Sequence, residues 1–380
     1  MERIDFVNIE RLRWCMDEVG IPVDRLAQEA GVPEKALRGL LEEGKGLTFN
    51  QIKKLAAYFG RGVFFFLQEG ELPEEKVHSA QFRTLTAQKP ELSMSLRRLI
   101  ERVEKQRDHY LNLLEELGAE VMAFAPPTLS GDINEKAETI RQWLNLDKAN
   151  DFEGHRRAIE ARGILVFRSN GYPGKWQIPK NNPILGFSIH HDICPCIMVK
   201  KLRLEERQTF TLFHELSHLL LHGESMIDDA QDLSSEEGKE QDANELAGYI
   251  LVPDSFLNQI DQSGSPDDAD YFSDWLHPYK QKWGVSVEVI LRRLMDAGRI
   301  SRQSYLDYRE RLERQGIQDE GTGNRKYRYR EPLHIFGARF VKTVFDAVHA
   351  ENLTLSRASD YLDGIKIKDV HELERYVTSH

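Results

Sequence analysis

Apolar side chains recur every three to four positions through the first sixty residues, in short runs divided by glycine. Gly31 ends the second run, and Pro33 suits the first turn of the third. The pattern predicts amphipathic helices over residues 8–19, 23–30, 33–41 and from Thr48 onward. Two short helices joined by a tight turn and flanked by others predict a helix-turn-helix.

The next long run of helical spacing covers residues 91–118, which we interpret as a bridging helix. Beyond residue 132 the pattern alternates between helical and strand-like runs. Helices are predicted at 137–144, 151–162, 208–222, 285–295 and 339–348, and strands at 163–167, 184–189 and 193–199. The predicted fold class is multidomain and mostly α: an all-α helix-turn-helix domain, an α+β domain with a small sheet, and a helical C-terminal region.

Three turn-rich stretches divide the chain: residues 126–132, 263–268 and 316–323. Each contains the proline or glycine residues that end helices. Together with the end of the first helical cluster, these breaks predict four regions. They are a helix-turn-helix domain at 1–70, a helical connector at 71–126, a core domain at 127–262 and a helical C-terminal region at 263–380.

The composition is that of a folded protein, with 380 residues of which 40% are hydrophobic and 30% charged. The 51 Lys and Arg against 62 Asp and Glu give a net charge of −11, so nucleic acid could contact only a local basic surface. No run approaches the roughly 20 apolar residues that span a bilayer, and the first residues lack a signal peptide. Three cysteines are too few for a disulfide framework. We therefore expect a cytoplasmic protein with no membrane partner.

The residues that point most clearly to chemistry are His214-Glu215-Leu216-Ser217-His218. Histidines four positions apart on a helix differ by roughly 40° in direction, so both imidazoles can reach one ion. Glu215 lies at the edge of this face, where it can take a proton from water. The surrounding residues are apolar, and burying such polar groups is costly unless a metal ion or partners satisfy them. The pattern predicts a catalytic zinc site.

A third ligand must come from elsewhere in the chain, because catalytic zinc is held by three protein side chains. Leu221 and Glu224 stand where the metzincin motif has glycine and histidine, which excludes that class. A second helix opens near Glu240, which could bind the ion, while Asn244 one turn later could orient a ligand histidine. Spacing alone does not choose Glu240 over the neighbouring carboxylates, which are Glu236, Glu237, Asp242 and Glu245.

Three motifs together resemble one family: the block 209–222, the pattern Glu240-x-x-Ala243-Asn244-x-x-Ala247, and Leu251-Val252-Pro253. In this order they are similar to the ImmA/IrrE family of bacterial zinc metallopeptidases. The resemblance implies that His214, His218 and Glu240 hold Zn²⁺ and that Glu215 is the general base. It also implies that the core domain at 127–262 is a zincin-like metallopeptidase domain.

The N-terminal helices resemble an Xre-type helix-turn-helix, and residues 81–84 with the helix that follows resemble the connector of long family members. The tail around residues 336–340 resembles their C-terminal region. Lys35 and Arg38 of the third helix are the candidate DNA contacts. Residues 1–70 hold ten Lys and Arg against eleven Asp and Glu, so this module should bind DNA weakly unless it forms a homodimer. A role in protein interaction competes with DNA binding.

The first functional hypothesis is a cytoplasmic regulatory zinc endopeptidase. The resemblance implies a protein substrate, often a repressor, and a helix-turn-helix that tethers the enzyme to DNA or to a related repressor. The polar residues 223–239 are expected to form a mobile loop at the rim of the cleft. The alternative hypothesis is a DNA-binding regulator or antitoxin whose metallopeptidase-like domain binds a partner, such as a toxin, without cleaving it.

Several other side chains near the motif have no assigned role. The sequence does not choose an oxyanion-stabilising donor among His222, Tyr249, His190 and Tyr172. Cys194 and Cys196 lie near two histidines, but their spacing is not the Cys-x-x-Cys of a structural zinc site. We interpret these thiols as small buried apolar groups rather than as ligands of a second metal.

Overall fold

The structure is a computed structural model. It describes residues 3–4, 6–19, 21–59, 61–68, 84–86, 88–89, 92–121, 123–146, 150–171, 174–179, 182–229, 231–235, 237–315 and 325–379. The chain is mostly helical with one small mixed sheet and a two-stranded ribbon, which confirms the predicted secondary-structure class. It divides into two compact units, the first comprising Met1–Arg83 and Pro90–Arg98 and the second Thr84–Lys89 and Leu99–His380.

The first unit is built from short amphipathic helices. They are α1 (Ile9–Val19), α2 (Val23–Ala30), α3 (Glu34–Glu43) and α4 (Phe49–Phe59), followed by a 3₁₀ turn at Val63–Phe66. Two short strands, β1 (Arg3–Ile4) and β2 (Leu47–Thr48), pair antiparallel. Gly31 ends α2 in the left-handed conformation at φ 64°, as its place in the sequence pattern predicted. Leu12, Leu26, Leu37 and Ile52 are fully buried in a shared core, so each helix contributes its predicted apolar face.

The second unit contains the larger sheet and most of the helices. Its strands are β3 (Leu165–Arg168), β4 (Ile184–Ile189), β5 (Cys196–Val199) and β6 (Met226–Asp229). Helix α5 (Met94–Glu116) begins in the first unit and continues here. The further helices are α6 (Ile133–Leu144), α7 (Phe152–Glu160), α8 (Glu205–Leu221), α9 (Gly238–Leu251), α10 (Asp254–Leu257), α11 (Phe272–Trp283), α12 (Val287–Asp296), α13 (Arg302–Gln315), α14 (Glu331–His349), α15 (Leu355–Tyr361) and α16 (Ile367–Ser379).

The four strands lie in the order β3-β5-β4-β6. β3 runs parallel to β5, whereas β4 is antiparallel to both β5 and β6. The prediction of a mobile loop over residues 223–239 was wrong for Met226–Asp229, which form β6 and pair Asp228 with Gly186. The strand forms through main-chain pairing with β4. Its two aspartates interrupt the apolar pattern, so the sequence pattern did not predict it.

Helix α8 packs between this sheet and α9 and is buried along most of its length. Leu212, Phe213 and Leu216 of α8 join one apolar core with Ile197 and Val199 of β5 and with residues of α6, α7, α9 and α12. The core extends through the C-terminal helices to Tyr305 and Tyr308 of α13. The apolar face predicted for residues 208–222 therefore fixes the position of the motif histidines against the sheet.

A buried arginine ties β3 to the start of α14. Arg156 of α7 is fully buried and pairs with Glu160 at 3.1 Å. Its guanidinium group donates to the main-chain oxygen of Val166 in β3 and to those of His334 and Ile335 in α14. Gly337 bends α14 at φ 82°, and a side chain there would collide with the Glu160 carboxyl group.

Among all residues placed in the structure, no helix has the length and apolarity required to cross a membrane.

Candidate metal centre

The two motif histidines of α8 meet at a single buried point. His214 and His218 are completely buried, and their Nε2 atoms lie 3.0 Å apart. At this distance the two Nε2 atoms cannot both carry a hydrogen, because the two hydrogens would collide. A pair of deprotonated Nε2 atoms at this distance would instead direct two lone pairs at the same position, as the predicted spacing of four residues requires.

Helix α9 brings a carboxylate to the same point from its first turn. Glu240 Oε2 lies 3.3 Å from His214 Nε2 and 3.4 Å from His218 Nε2. Among the competing carboxylates, Glu237, Asp242 and Glu245 are outside this group, and Glu236 lies outside the described residues. The structure therefore brings together the three side chains that the family resemblance implied as ligands.

A fourth side chain, which the sequence did not reveal, completes the group. Asp228 of β6 is 1% exposed, and its Oδ2 atom lies 3.4 Å from His214 Nε2 and 3.6 Å from His218 Nε2. One ligand atom from each of the four residues falls within 4.8 Å of all the others. The only sequence signal was an acidic residue directly after the apolar pair Met226-Ile227, in a stretch that we expected to be a loop.

These donor atoms fit a divalent metal ion with nitrogen and oxygen ligands. For bonds of about 2.0 to 2.1 Å, two ligands of a tetrahedral ion are separated by about 3.3 Å, close to the nitrogen–oxygen distances here. Asp228 Oδ2 and Glu240 Oε2 are buried without a hydrogen-bond partner in the described part of the chain. Buried polar atoms in native proteins are nearly always satisfied, so a cation between them resolves an otherwise costly arrangement.

The mutual contacts also shift the acidity of these groups. Burial acts to lower the pKa of His214, but the neighbouring carboxylates of Asp228 and Glu240 outweigh it and raise that pKa to about 9. Burial acts to raise the pKa of Glu240, but the two histidines lower it to about 2. In the absence of a cation, a proton on His214 is therefore strongly held by the two acids.

Glu215 lies beside this group on the sheet-facing side of α8. It is completely buried, and neither carboxyl oxygen has a hydrogen-bond partner in the described residues. Burial, followed by the charge of Asp228, raises the pKa of Glu215 well above its ordinary value. Strongly shifted carboxyl groups of this kind are frequent at functional sites, which makes Glu215 a candidate for proton transfer.

His222 contacts the group from outside, whereas the Asn244 amide is directed at neighbouring main-chain atoms. The Nδ1 atoms of His218 and His222 lie 3.2 Å apart, so one ring donates a hydrogen bond to the other. If His218 offers Nε2 to an ion, its Nδ1 carries the hydrogen and His222 accepts it. The Asn244 amide instead donates to the main-chain oxygens of Asp232 and Ser235. The predicted contact from Asn244 to a ligand histidine is not among the hydrogen bonds of the described residues.

Lys35 and Arg38, the candidate DNA contacts, are exposed on α3 in the first unit. Arg38 Nε lies 2.8 Å from Glu34 Oε1, and its Nη1 lies 3.8 Å from Glu42 Oε1. The hydrogen bond and charge of Glu34 raise the pKa of Arg38. Phosphate would have to compete with two carboxylates of the same helix for this guanidinium group.

Cys194, Cys196 and Tyr249 take structural positions. The thiols of Cys194 and Cys196 are buried and free, and in the described ranges the group around His214 is the only potential metal site of three or more ligands. Tyr249 lies against the Arg293 guanidinium group, 3.2 Å from ring centroid to Cζ. Tyr172 lies outside the described residues. No oxyanion donor is singled out by these contacts.

Two histidines and two carboxylates thus form a buried group that could hold a metal ion, beside the buried Glu215. Residues 159–295 match the family model Peptidase M78, described as the IrrE N-terminal-like domain. The matched residues form about a third of the chain and include α8, β6 and α9. They support the ImmA/IrrE resemblance for this part, and no curated protein was found to match the sequence.

Proposed function

We propose that the second unit is a zinc-dependent endopeptidase of the ImmA/IrrE type with a zincin-like core, in which His214, His218 and Glu240 hold Zn²⁺. The observation that carries this proposal is the convergence of two imidazole nitrogens and a carboxylate oxygen within 3.4 Å of one another at a buried point. Two nitrogen ligands and a carboxylate oxygen are a common ligand set of catalytic zinc. When bound, zinc would acidify water and polarise a peptide carbonyl group.

Glu215 performs the proton transfers in this proposal. Its carboxylate accepts a proton from the water molecule whose oxygen attacks the peptide carbonyl carbon. The same carboxyl group then returns the proton to the amide nitrogen as the carbon–nitrogen bond breaks. His222 accepts the Nδ1 hydrogen of His218 and keeps Nε2 directed at the ion.

The decisive test separates metal binding from turnover. The full-length protein and its Glu215→Gln variant are loaded with zinc and incubated with a peptide library, and products are identified by mass spectrometry. Both proteins should bind one zinc ion, and only the unmodified protein should cleave. Ser217→Ala, a change on the same buried helix, serves as the matched control that retains cleavage. Equal cleavage by Glu215→Gln would exclude the proposed base.

Asp228 supports a second candidate function. Structural zinc sites are closed by four protein ligands, whereas catalytic sites keep one position for water. With Asp228 Oδ2 at 3.4 and 3.6 Å from the two histidine nitrogens, four protein atoms surround the centre. This geometry favours a regulator or antitoxin whose metal-stabilised domain binds a partner protein, such as a toxin, without cleaving it. Inhibition of that partner by the Glu215→Gln variant would support this function over proteolysis.

For the first unit we propose an Xre-type helix-turn-helix that binds DNA as a homodimer and directs the peptidase to a repressor. The three-residue turn between α2 and α3 and the exposed Lys35 support it. Because Arg38 is engaged by Glu34 and Glu42, one copy should bind duplex DNA weakly. Fluorescence anisotropy with labelled operator fragments from upstream of the gene should show binding that Lys35→Ala weakens. If the measured DNA affinity does not fall as the salt concentration rises, the first unit is better explained as a protein-interaction module.

The division into regions 1–70, 71–126, 127–262 and 263–380 remains part of this proposal, as does a cytoplasmic location. Cys15, Cys194 and Cys196 are buried and form no disulfide, which suits a reducing compartment. Cell fractionation with an antibody against the full chain tests the location directly.

A further inference from the structure

The outer edge of β6 is a surface suited to an added peptide strand. β4 pairs with one side of β6, and in the described sheet no other strand pairs with β6. The opposite side presents the carbonyl oxygen of Ser225 and the N–H group of Ile227. Asp228, between Ile227 and the end of the strand, belongs to the candidate metal centre. A peptide laid along this edge would therefore pair with the strand that carries Asp228 of this centre.

A side chain of the same chain already occupies this edge. Gln88 Nε2 donates to Ser225 O at 2.8 Å, and Gln88 Oε1 accepts from Ile227 N at 3.1 Å. One amide thus satisfies an acceptor and a donor two residues apart, as one residue of an added strand would do. Both bonds are made by the side chain of Gln88. The main chain at residues 84–86 and at Gln88 is helical, so it does not pair with β6 as a strand.

The next residue adds a charge contact. Lys89 Nζ lies 2.9 Å from Asp229 Oδ2 and 2.8 Å from Asp232 Oδ2. The two acids are fixed by local main-chain bonds, since Asp229 N donates to Asp232 and Asp232 N donates to Asp229. They therefore form a rigid acidic pair at the end of β6, with one amine between them. The three side chains are between 16% and 25% exposed, which limits screening by solvent.

We propose that this edge is the docking surface for an extended peptide segment carrying a lysine or arginine, and that Gln88 and Lys89 occupy it until such a segment displaces them. The inference rests on the proposed peptidase function for the identity of the occupant as substrate. A peptide strand supplies the main-chain donor and acceptor that Gln88 imitates, and its basic side chain replaces Lys89 between the two acids. Because the peptide would make the same kinds of contact that Gln88 and Lys89 make, either can replace the other on the edge of β6.

The first experiment measures peptide binding in the zinc-loaded, full-length Glu215→Gln protein, which should not cleave. The probes are two fluorescein-labelled peptides of alternating threonine and valine, one with a central lysine and one with norleucine. If Gln88 and Lys89 block nine-tenths of the molecules, the added changes Gln88→Ala and Lys89→Ala should tighten binding of the lysine peptide about tenfold. Lys280→Ala, which removes a similar pair with Glu206, is the matched control and should change nothing.

The acidic pair should determine the preference between the two probes. Replacing both acids with Asp229→Asn and Asp232→Asn should remove most of the preference for lysine over norleucine, while the strand contacts remain. Equal affinity of the Gln88→Ala, Lys89→Ala protein and the Lys280→Ala control for the lysine peptide would overturn the proposal. So would an unchanged preference for lysine after removal of the acids.

Hydrogen exchange provides a second measurement that does not depend on peptide binding or activity. The Ile227 amide should exchange faster in Gln88→Ala than in the unmodified protein and should regain protection when the lysine peptide is added. An unchanged Ile227 exchange rate in Gln88→Ala would show that Gln88 does not hold the edge. If the peptide docks as proposed but the protein with Glu215 intact never cleaves it, the docking surface stands and the peptidase function fails.

Discussion

Gly186 of β4 lies directly against the carboxyl group of Glu215 on α8. A Cβ atom placed on Gly186 would stand 2.5 Å from Glu215 Oε1 and 2.8 Å from Thr211 Cγ2, with the main-chain oxygen of Met198 at 3.1 Å. The absence of a side chain at Gly186 thus permits α8 to approach the sheet closely enough to hold its glutamate beside Asp228.

We expect Gly186→Ala to disturb both stability and the metal site. Overpacking of this kind typically costs about 1 to 3 kcal/mol, and relief requires a shift of α8 away from β4. Urea unfolding of the metal-free protein should show the loss, and zinc binding should weaken because His214 and His218 move with the helix.

Gly248→Ala on α9 is the matched control for this change. There the nearest atom to a new Cβ is Arg293 Cδ at 3.6 Å, an ordinary contact. Alanine in a helix is favoured over glycine by about 0.5 to 1 kcal/mol, so this variant should be as stable as the unmodified protein or more so. Equal stability of the two variants would show that α8 does not need the close approach.

Asp228→Asn tests whether the fourth carboxylate binds the ion. Loss of a partner outside the ligand shell commonly weakens metal binding by about 10- to 100-fold, so loss of a direct ligand should cost at least about tenfold. Chelator competition measures the zinc affinity, and the visible absorption of the cobalt-substituted protein reports its coordination. Asp242→Asn, exposed on the same helix as Glu240, should leave both unchanged.

The same variant distinguishes the two candidate functions. If Asp228 closes the site at rest, Asp228→Asn opens one position to water, and the zinc-saturated variant should cleave peptides at least as fast as the unmodified protein. If Asp228→Asn leaves the zinc affinity and the cobalt spectrum unchanged, Asp228 is not a ligand of the ion.

Zinc binding should weaken as the pH falls. The pKa of His214 is raised to about 9 by Asp228 and Glu240, so the metal-free protein carries a proton there at neutral pH, and the ion must displace it. Below about pH 9, each unit of pH should therefore reduce the apparent affinity about tenfold, which corresponds to about 1.4 kcal/mol. Calorimetry in buffers of different ionisation enthalpy should detect release of about one proton per ion at pH 7. A zinc affinity that is constant between pH 6.5 and 8.5 would contradict the proposed contacts.

His334 should make the second unit sensitive to acid. Burial, followed by the charges of Arg168, Lys201 and Arg156, lowers the pKa of His334 well below its ordinary value. Its Nδ1 atom accepts a hydrogen bond from Arg168 Nη2 at 2.6 Å. The folded protein keeps this ring neutral, whereas the unfolded chain takes up a proton below about pH 6.5. The stability that His334 contributes is therefore present above that pH and lost as the pH falls through it.

The free energy of unfolding, measured between pH 7 and 5, should fall less steeply in His334→Gln, which keeps an acceptor for Arg168. The difference in slope should approach about 1.4 kcal/mol per pH unit at the lower end. His277→Gln, an exposed position on α11, should leave the slope of the unmodified protein unchanged. An identical slope in His334→Gln would mean that the ring takes up protons equally in the folded and unfolded states.

Much of the fold followed from local patterns. The spacing of apolar residues predicted α2 over Val23–Ala30 and β4 over Ile184–Ile189 with the bounds that the structure shows. It also placed His214, Glu215 and His218 on a buried helix. These features depend on the period of a single helix or strand and on the residues that end it. The order of strands in the sheet had no such local signal, because it depends on pairing between segments far apart in the chain.

The sequence by itself determined the helical character of the chain and the two histidines that face one point, because residues four apart on a helix share a face. The family resemblance implied Glu240 as the third ligand. Only the tertiary structure decided that Asp228 joins them, that His222 contacts His218, and that Gln88 covers the edge of β6. Each of these depends on how β6 pairs with β4 or on how α8 ends, and main-chain pairing between distant segments leaves no periodic trace in the side chains.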